Sequence, residues 1–371
     1  MKIGVITFWY TQENYGQMLQ LYALQVFLKE LGHDPYLIRF DNRSDVKEYI
    51  VKNSLASNIK KAIKNPLKIV DHFRSVLLLR KKFQIQLRGF DDFRNKYIRM
   101  SPKIYYSLDE LKNDPPTADA YICGSDVIWN ESICNMSYFL NFGDKKTKRI
   151  AYAPSFGSSF VSDNYCKLIS PLLQNFDFIG VREKSGVDIC NRAKFNHAEW
   201  VSDPTMIIKK DYYDNMAIKY HNSKSYIFQY FLGVEKINQL NAIYDYAASN
   251  DMDVKYVAVQ GRRDHYEKLN ASIEEWIGYL KGAEYVITNS FHCCVMALIY
   301  NKKFLYIPLS GFSGSLNERI NSLLIEFNLE NRSCKKSISE IEQDINWDRI
   351  NSILLNKQKC TIEIMNNVLK Q

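Results

Sequence analysis

MKIGVITFWYTQENYGQMLQLYALQVFLKELGHDPYLIRF, residues 1–40, decides the fold. Lys2 to Phe8 is an apolar run of strand length, and Leu21, Leu24, Leu28 and Leu31 then mark one face of a helix. Gly32 closes the helical pattern, and Tyr36 to Phe40 returns to strand. Strand, helix and strand in this order predict a βαβ unit, hence a parallel sheet with right-handed crossovers. Outward from it, short apolar runs follow at Ala120 to Cys123, Arg149 to Ala153, Phe178 to Val181 and Tyr226 to Phe231. Three more lie at Val254 to Val259, Tyr285 to Thr288 and Phe304 to Ile307, with helical patterns between most of them. The chain reads as two doubly wound α/β units that change over between Asp203-Pro204 and Tyr226.

The composition of the 371 residues agrees with two domains. With 46% hydrophobic and 24% charged residues, wholesale disorder is excluded; 15 Gly and 9 Pro exclude collagen-like or low-complexity architecture. The 49 Lys and Arg against 41 Asp and Glu give a net +8, which favours anions without choosing among them. Eight Cys show neither Cys-x-x-Cys spacing nor a completing His pair, so no metal site is expected and the thiols read as reduced. The apolar start is too short for a signal peptide, and no run approaches membrane-span length, so a cytoplasmic protein is expected.

One segment departs from the average. Residues 43–99 hold 15 Lys and Arg against 5 Asp and Glu, a net of +10 that leaves −2 for the rest. Leu67, Val70, Phe73 and Leu77 form an apolar stripe there, with Lys60, Lys61, Lys64 and Lys68 around it. The pattern fits a basic amphipathic helix on an anionic membrane surface, or a solvated helical insertion. No reader motif accompanies the charge, so nucleic acid is not expected.

Candidate chemistry clusters where predicted strands end. Asn14-Tyr15-Gly16 lies in the first βα turn; Gly16 permits close backbone approach, and the turn is not a dinucleotide fingerprint. Gly124-Ser125-Asp126 follows a strand, with Asp126 able to take a proton from a sugar hydroxyl and Trp129 able to stack on a sugar ring. The same Ser-Asp pair reads as an ordinary helix cap. Arg182 ends another strand, and its fork suits carboxylate or phosphate, although a surface Arg beside an acidic neighbour looks the same. Ser290 would cap a helix beginning at Phe291, with His292 in its first turn, where anions are attracted.

Taken together in order, these motifs resemble the polysaccharide pyruvyl transferases. The resemblance runs from Asn14-Tyr15-Gly16 with Gln20 to Arg319-Ile320-Asn321-Ser322-Leu323-Leu324. Between them it takes in Gly124-Ser125-Asp126 with Trp129-Asn130, Arg149 to Ala153, Ser155-Phe156-Gly157, Val181-Arg182-Glu183-Lys184-Ser185-Gly186, Asp203-Pro204-Thr205 and Ser290-Phe291-His292. It implies two Rossmann-like domains facing a cleft, similar to the B-type glycosyltransferase fold. We expect residues 1–210, with the basic insertion, to form the first and residues 211–371 the second. It also implies phosphoenolpyruvate as donor, with Arg182, Ser290, His292 and Arg319 at its site and no cofactor beyond that co-substrate.

The expected reaction forms a cyclic pyruvate ketal on a hexose of a bacterial capsule or exopolysaccharide precursor, lipid-linked or free. His292 is the expected acid and Asp126 the expected base, with Asn14, Tyr15, Gly16 and Trp129 on the acceptor side. A nucleotide-sugar glycosyltransferase and a non-catalytic glycan-binding protein are the alternatives. Three positions depart from the family pattern: Asn289 stands for Asp, Cys293-Cys294 for Gly-Thr, and Val127 for Gln. A side chain at 293 is expected to narrow backbone access to the anion.

Overall fold

A computed structural model describes residues 1–41, 88–220, 222–234, 236–309, 314, 316–334 and 337–370. Lys60, Lys61, Lys64 and Lys68 and the apolar stripe of the basic segment lie outside the described residues. Among those described, the first sheet has seven strands in the order β3-β2-β1-β4-β5-β6-β7. They are β1 (Lys2–Ile6), β2 (Asp34–Phe40), β3 (Met100–Tyr105), β4 (Ala120–Cys123), β5 (Lys148–Tyr152), β6 (Phe178–Val181) and β7 (Glu199–Trp200). The second sheet, ordered β11-β10-β8-β9, contains β8 (Tyr226–Phe231), β9 (Asp253–Ala258), β10 (Tyr285–Thr288) and β11 (Lys303–Tyr306). Every ladder is parallel.

Both orders are doubly wound, and each reverses direction once: between β1 and β4, and between β8 and β10. Helices cross on opposite faces at such a reversal, which opens a crevice outside the carboxyl ends of the two strands. The Tyr15–Glu30 helix leaves β1 at the first of these points, and the Phe291–Ile299 helix leaves β10 at the second. The two helices pack on each other. Each is buried on nearly all sides, the mark of an internal helix rather than a surface one.

Two strands escape the apolar-run reading. β3 reads MSPKIY, with Pro102 inside and two exposed positions, as an edge strand tolerates. β7 has only two residues, both exposed. A correction also falls on the domain limits. The Trp347–Lys370 helix, expected within the second unit, returns to the first: Gln358 Nε2 donates to Met206 O at 3.2 Å, and Lys148 Nζ to Val368 O at 2.9 Å. One apolar cluster consequently runs through both halves, from Ile3 and Leu24 to Val286, Met296, Met365 and Leu369.

Candidate active site

The carboxyl ends of β4, β6, β7 and β10 bring Ser125, Arg182, Asp203 and His292 together. Asp203 is fully buried, and its Oδ2 accepts from Ser125 Oγ at 2.7 Å and from Arg182 Nη1 at 3.1 Å. The same oxygen stands 3.5 Å from His292 Nε2. Its Oδ1 accepts from the Thr205 N–H at 2.9 Å and hydroxyl at 2.6 Å, which fixes the carboxylate plane. Arg182 is buried too; its Nε donates to Glu183 Oε1 at 3.2 Å, and its guanidinium lies 4.7 Å from the Phe291 ring centre. Among the described residues, Arg182 Nη2 and His292 Nε2 are buried without a hydrogen-bond partner. Unpaired donors of this kind are costly and seldom left so without reason.

The charges explain how so polar a cluster survives burial. Burial alone would raise the Asp203 carboxyl, but His292 and Arg182 outweigh it and hold the group well below the usual carboxylate range. Burial would likewise favour neutral Arg182, yet Glu183, Asp203 and Asp126 together keep its guanidinium firmly charged. Arg319, half-buried in the Glu318–Phe327 helix, is pulled down by burial and next by the positive charge of Arg182, while Asp126 and Glu183 oppose both. The two arginines therefore face one locality, with Asp126 and Glu183 near them. Asp126 itself adopts φ +83, a conformation uncommon for a residue with a side chain. Its Oδ1 accepts from the Val127 N–H at 2.8 Å and its Oδ2 from Gln17 Nε2 at 3.2 Å.

His292 owes its place to Gly16. A Cβ on Gly16 would come within 2.2 Å of His292 Nδ1 and 2.5 Å of Cγ. The missing side chain thus admits the imidazole of the other half of the molecule, which corrects the expectation that Gly16 admits a ligand. Ser290 caps the His292 helix as expected, its Oγ accepting from the Cys293 N–H at 3.5 Å.

Arg182 and His292 thus meet at Asp203, Arg319 and Asp126 lie within the electrostatic reach of Arg182, and Ser290 caps the helix that carries His292. The acceptor-side residues Trp129, Tyr15 and Asn14 make other contacts. Trp129 is fully buried, donates from Nε1 to Tyr138 O at 3.1 Å and stacks on Phe139, so no sugar reaches its face. Tyr15 is also fully buried; its hydroxyl donates to Ala271 O at 2.6 Å and its ring stacks on Trp276. It joins the two halves. Asn14 caps the following helix, Oδ1 accepting from the Gln17 N–H at 3.2 Å. Tyr15 is covered by the second half of the chain, Trp129 by aromatic residues of the first, and the Asn14 side-chain oxygen is taken by its own helix.

The departures at 289 and 293 also find places. The Asn289 amide spans a neighbouring backbone, Oδ1 accepting from Leu232 N–H at 2.7 Å and Nδ2 donating to Leu232 O at 2.8 Å. Cys293 and Cys294 are fully buried in the shared core, and burial pushes the Cys293 thiol up to about 12. Cys293 therefore does not stand over the helix start, contrary to expectation. Asp203, Glu183 and Gln17 were missed as site residues. Asp203-Pro204-Thr205 carried the one signal, a carboxylate set to cap a turn just past a strand.

The family model for polysaccharide pyruvyl transferase matches residues 14–311. No curated protein matches the chain. Among solved structures it is similar to an S. aureus MnaA–UDP co-structure, with TM-score 0.47 and 11% identity over 96% of this chain and 90% of that one. The spinosyn rhamnosyltransferase SpnG gives 0.44 and 8% over 100% of both chains. SsfS6, a glycosyltransferase of Streptomyces sp. SF2575, gives 0.41 and 8% over 100% of both. At these scores the fold assignment rests on the strand orders above.

Proposed function

The chain belongs to the polysaccharide pyruvyl transferase family, and from that premise we propose that it moves the pyruvyl group of phosphoenolpyruvate onto a hexose of a bacterial capsule or exopolysaccharide precursor. The product is a cyclic ketal, and phosphate leaves. The observation that carries this reading is Arg182: buried, charged, and holding Nη2 without a partner beside His292 and within the field of Arg319. A carboxylate or phosphate bound there would satisfy that donor and relieve the repulsion between the arginines.

The residues then divide the work. His292, whose Nε2 stands 3.5 Å from Asp203 Oδ2, is the acid. Its proton goes to the donor methylene, and C2 becomes electrophilic. One sugar hydroxyl bonds to C2 and gives its proton to Asp126; the C2–O bond to phosphate breaks; a second hydroxyl closes the ketal and releases its proton. Arg182 and Arg319 hold the anionic groups throughout. The donor serves as co-substrate, and the sequence of steps calls on no cofactor. The acceptor is lipid-linked or free, and we place the reaction in the cytoplasm, at the membrane face when the acceptor is lipid-linked. Among the described residues, no helix is long and apolar enough to cross a membrane.

The test is phosphate release from phosphoenolpyruvate against a panel of free and lipid-linked hexosides. Acceptor-dependent release supports the reading. Release of nucleoside diphosphate from a nucleotide sugar, with none of phosphate from phosphoenolpyruvate, would replace it with glycosyl transfer.

A further inference from the structure

With Trp129, Tyr15 and Asn14 occupied in structural contacts, the acceptor needs another seat. A cavity opens at the carboxyl ends of β1 and β2. It measures about 170 Å³, and Phe8, Trp9, Tyr10, Gln17, Asp41 and Tyr138 are among the residues that line it. That is small beside the roughly 300–1,000 Å³ of drug-sized sites, and suits one ring rather than a chain.

Its walls are aromatic and locked. Trp9 Nε1 donates to Phe40 O at 2.8 Å, and Tyr138 receives Phe8 edge-on at 5.3 Å and Phe40 at 5.6 Å. Tyr10 stands at the rim, 44% exposed, with its ring edge-on to Trp9. Burial, reinforced by the Asp126 and Asp41 charges, raises the Tyr138 phenol, so the ring between those carboxylates stays neutral. Among the described residues that line it none is cationic, which disfavours phosphate or carboxylate as occupant. Aromatic faces beside carboxylate and amide oxygens instead suit a neutral polyol, whose C–H faces stack while its hydroxyls donate.

The cavity is also connected to the anion cluster. Gln17 lines it and donates from Nε2 to Asp126 Oδ2 at 3.2 Å, which leaves Oε1 as an acceptor. Asp126 in turn stands in the field of Arg182 and Arg319. We propose that this aromatic cavity is the acceptor subsite: it takes one neutral hexopyranose and turns a pair of its hydroxyls toward Asp126. The proposal rests on the pyruvyl-transfer reading for the role of the sugar, but the seat itself is testable without the donor.

The experiment uses the full chain and three probes, the methyl glycosides of glucose, galactose and mannose, by saturation-transfer NMR in the absence of phosphoenolpyruvate. Irradiating aromatic protons should transfer saturation to the ring protons of at least one glycoside. Tyr10→Ala and Gln17→Leu should each weaken that glycoside about tenfold, the size of one lost contact near 1.4 kcal/mol, in a protein that still melts cooperatively. No transfer to any of the three, or wild-type affinity in both variants, overturns the subsite. The two readings fail separately. Glycoside binding that both variants weaken, in a protein that never releases phosphate, keeps the seat and removes pyruvyl transfer. Phosphate release unchanged in both variants keeps the transfer and removes the seat.

Discussion

Arg182 meets two carboxylates and a hydroxyl, so it supports the fold as well as the donor. Arg182→Lys keeps the charge but cannot reach Glu183, Ser125 and Asp203 together. We expect donor affinity to fall at least about tenfold and stability by roughly 1–3 kcal/mol, read by donor titration and thermal melting. Gly16→Ala drives a methyl into His292; turnover should collapse while overpacking costs on the order of 1–3 kcal/mol, so a folded, inactive protein is the expected result. An active Gly16→Ala protein would mean that the imidazole position is unimportant. Asp203 gives a pH signature. Its carboxyl is held below the usual range, so its contribution is full above the unfolded value near pH 4 and is lost as pH falls through the folded one. Stability of the wild type should therefore drop on acidification below about pH 4, and Asp203→Asn should flatten that drop. Much of this cluster was legible in the sequence, because Arg182, Ser290 and His292 sit where strands end. The contacts of Gly16 and Asp203 were not, since their partners lie hundreds or tens of residues away and only the folded chain brings them together.

At the scale of elements, the chain wrote its buried strands plainly and its edges poorly. β4, β6, β8 and β10 are buried along nearly their whole length and read as mainly apolar runs, Gln229 and Thr288 being the polar exceptions. β3 is an edge strand with a proline, and solvent on one side removes the pattern that a reader would need. The Trp129 and Tyr15 expectations failed for a related reason. An aromatic residue after a strand looks the same in sequence whether it faces a cleft or the next layer of core. The Asn289 clip ties the end of β10 to the residue that follows β8, across the reversal of the second sheet. Asn289→Asp sets a carboxylate oxygen against the Leu232 carbonyl, and should cost about 1–3 kcal/mol in urea denaturation. An unchanged midpoint would show that the clip adds nothing.

The whole molecule carries its excess positive charge in one place. Residues 43–99 supply a net of +10 within a total of +8. Each basic side chain near an anionic surface is worth about 1 kcal/mol, enough in number for reversible, salt-sensitive adsorption. Flotation with anionic vesicles at low salt should carry the protein upward, while high salt or neutral vesicles should leave it below. Absence from both lipid fractions would end the idea of membrane contact. The two-sheet plan was legible at this scale from the spacing of the runs. The return of the last helix was not, because nothing in an amphipathic helix says which surface it will cover.

That return has a consequence for how the protein is made. The shared cluster joins Ile3 to Leu369, and Lys148 to the backbone of Val368. A nascent chain on the ribosome can pair β1 with β2 early, but the contacts of the first half with residues 347–370 form only after those residues have been made. Until then the cluster that contains Ile3 lacks Ile350, Leu354, Met365 and Leu369. A chain cut before residue 347 should therefore aggregate more readily than the whole, which the soluble fraction of the two would show.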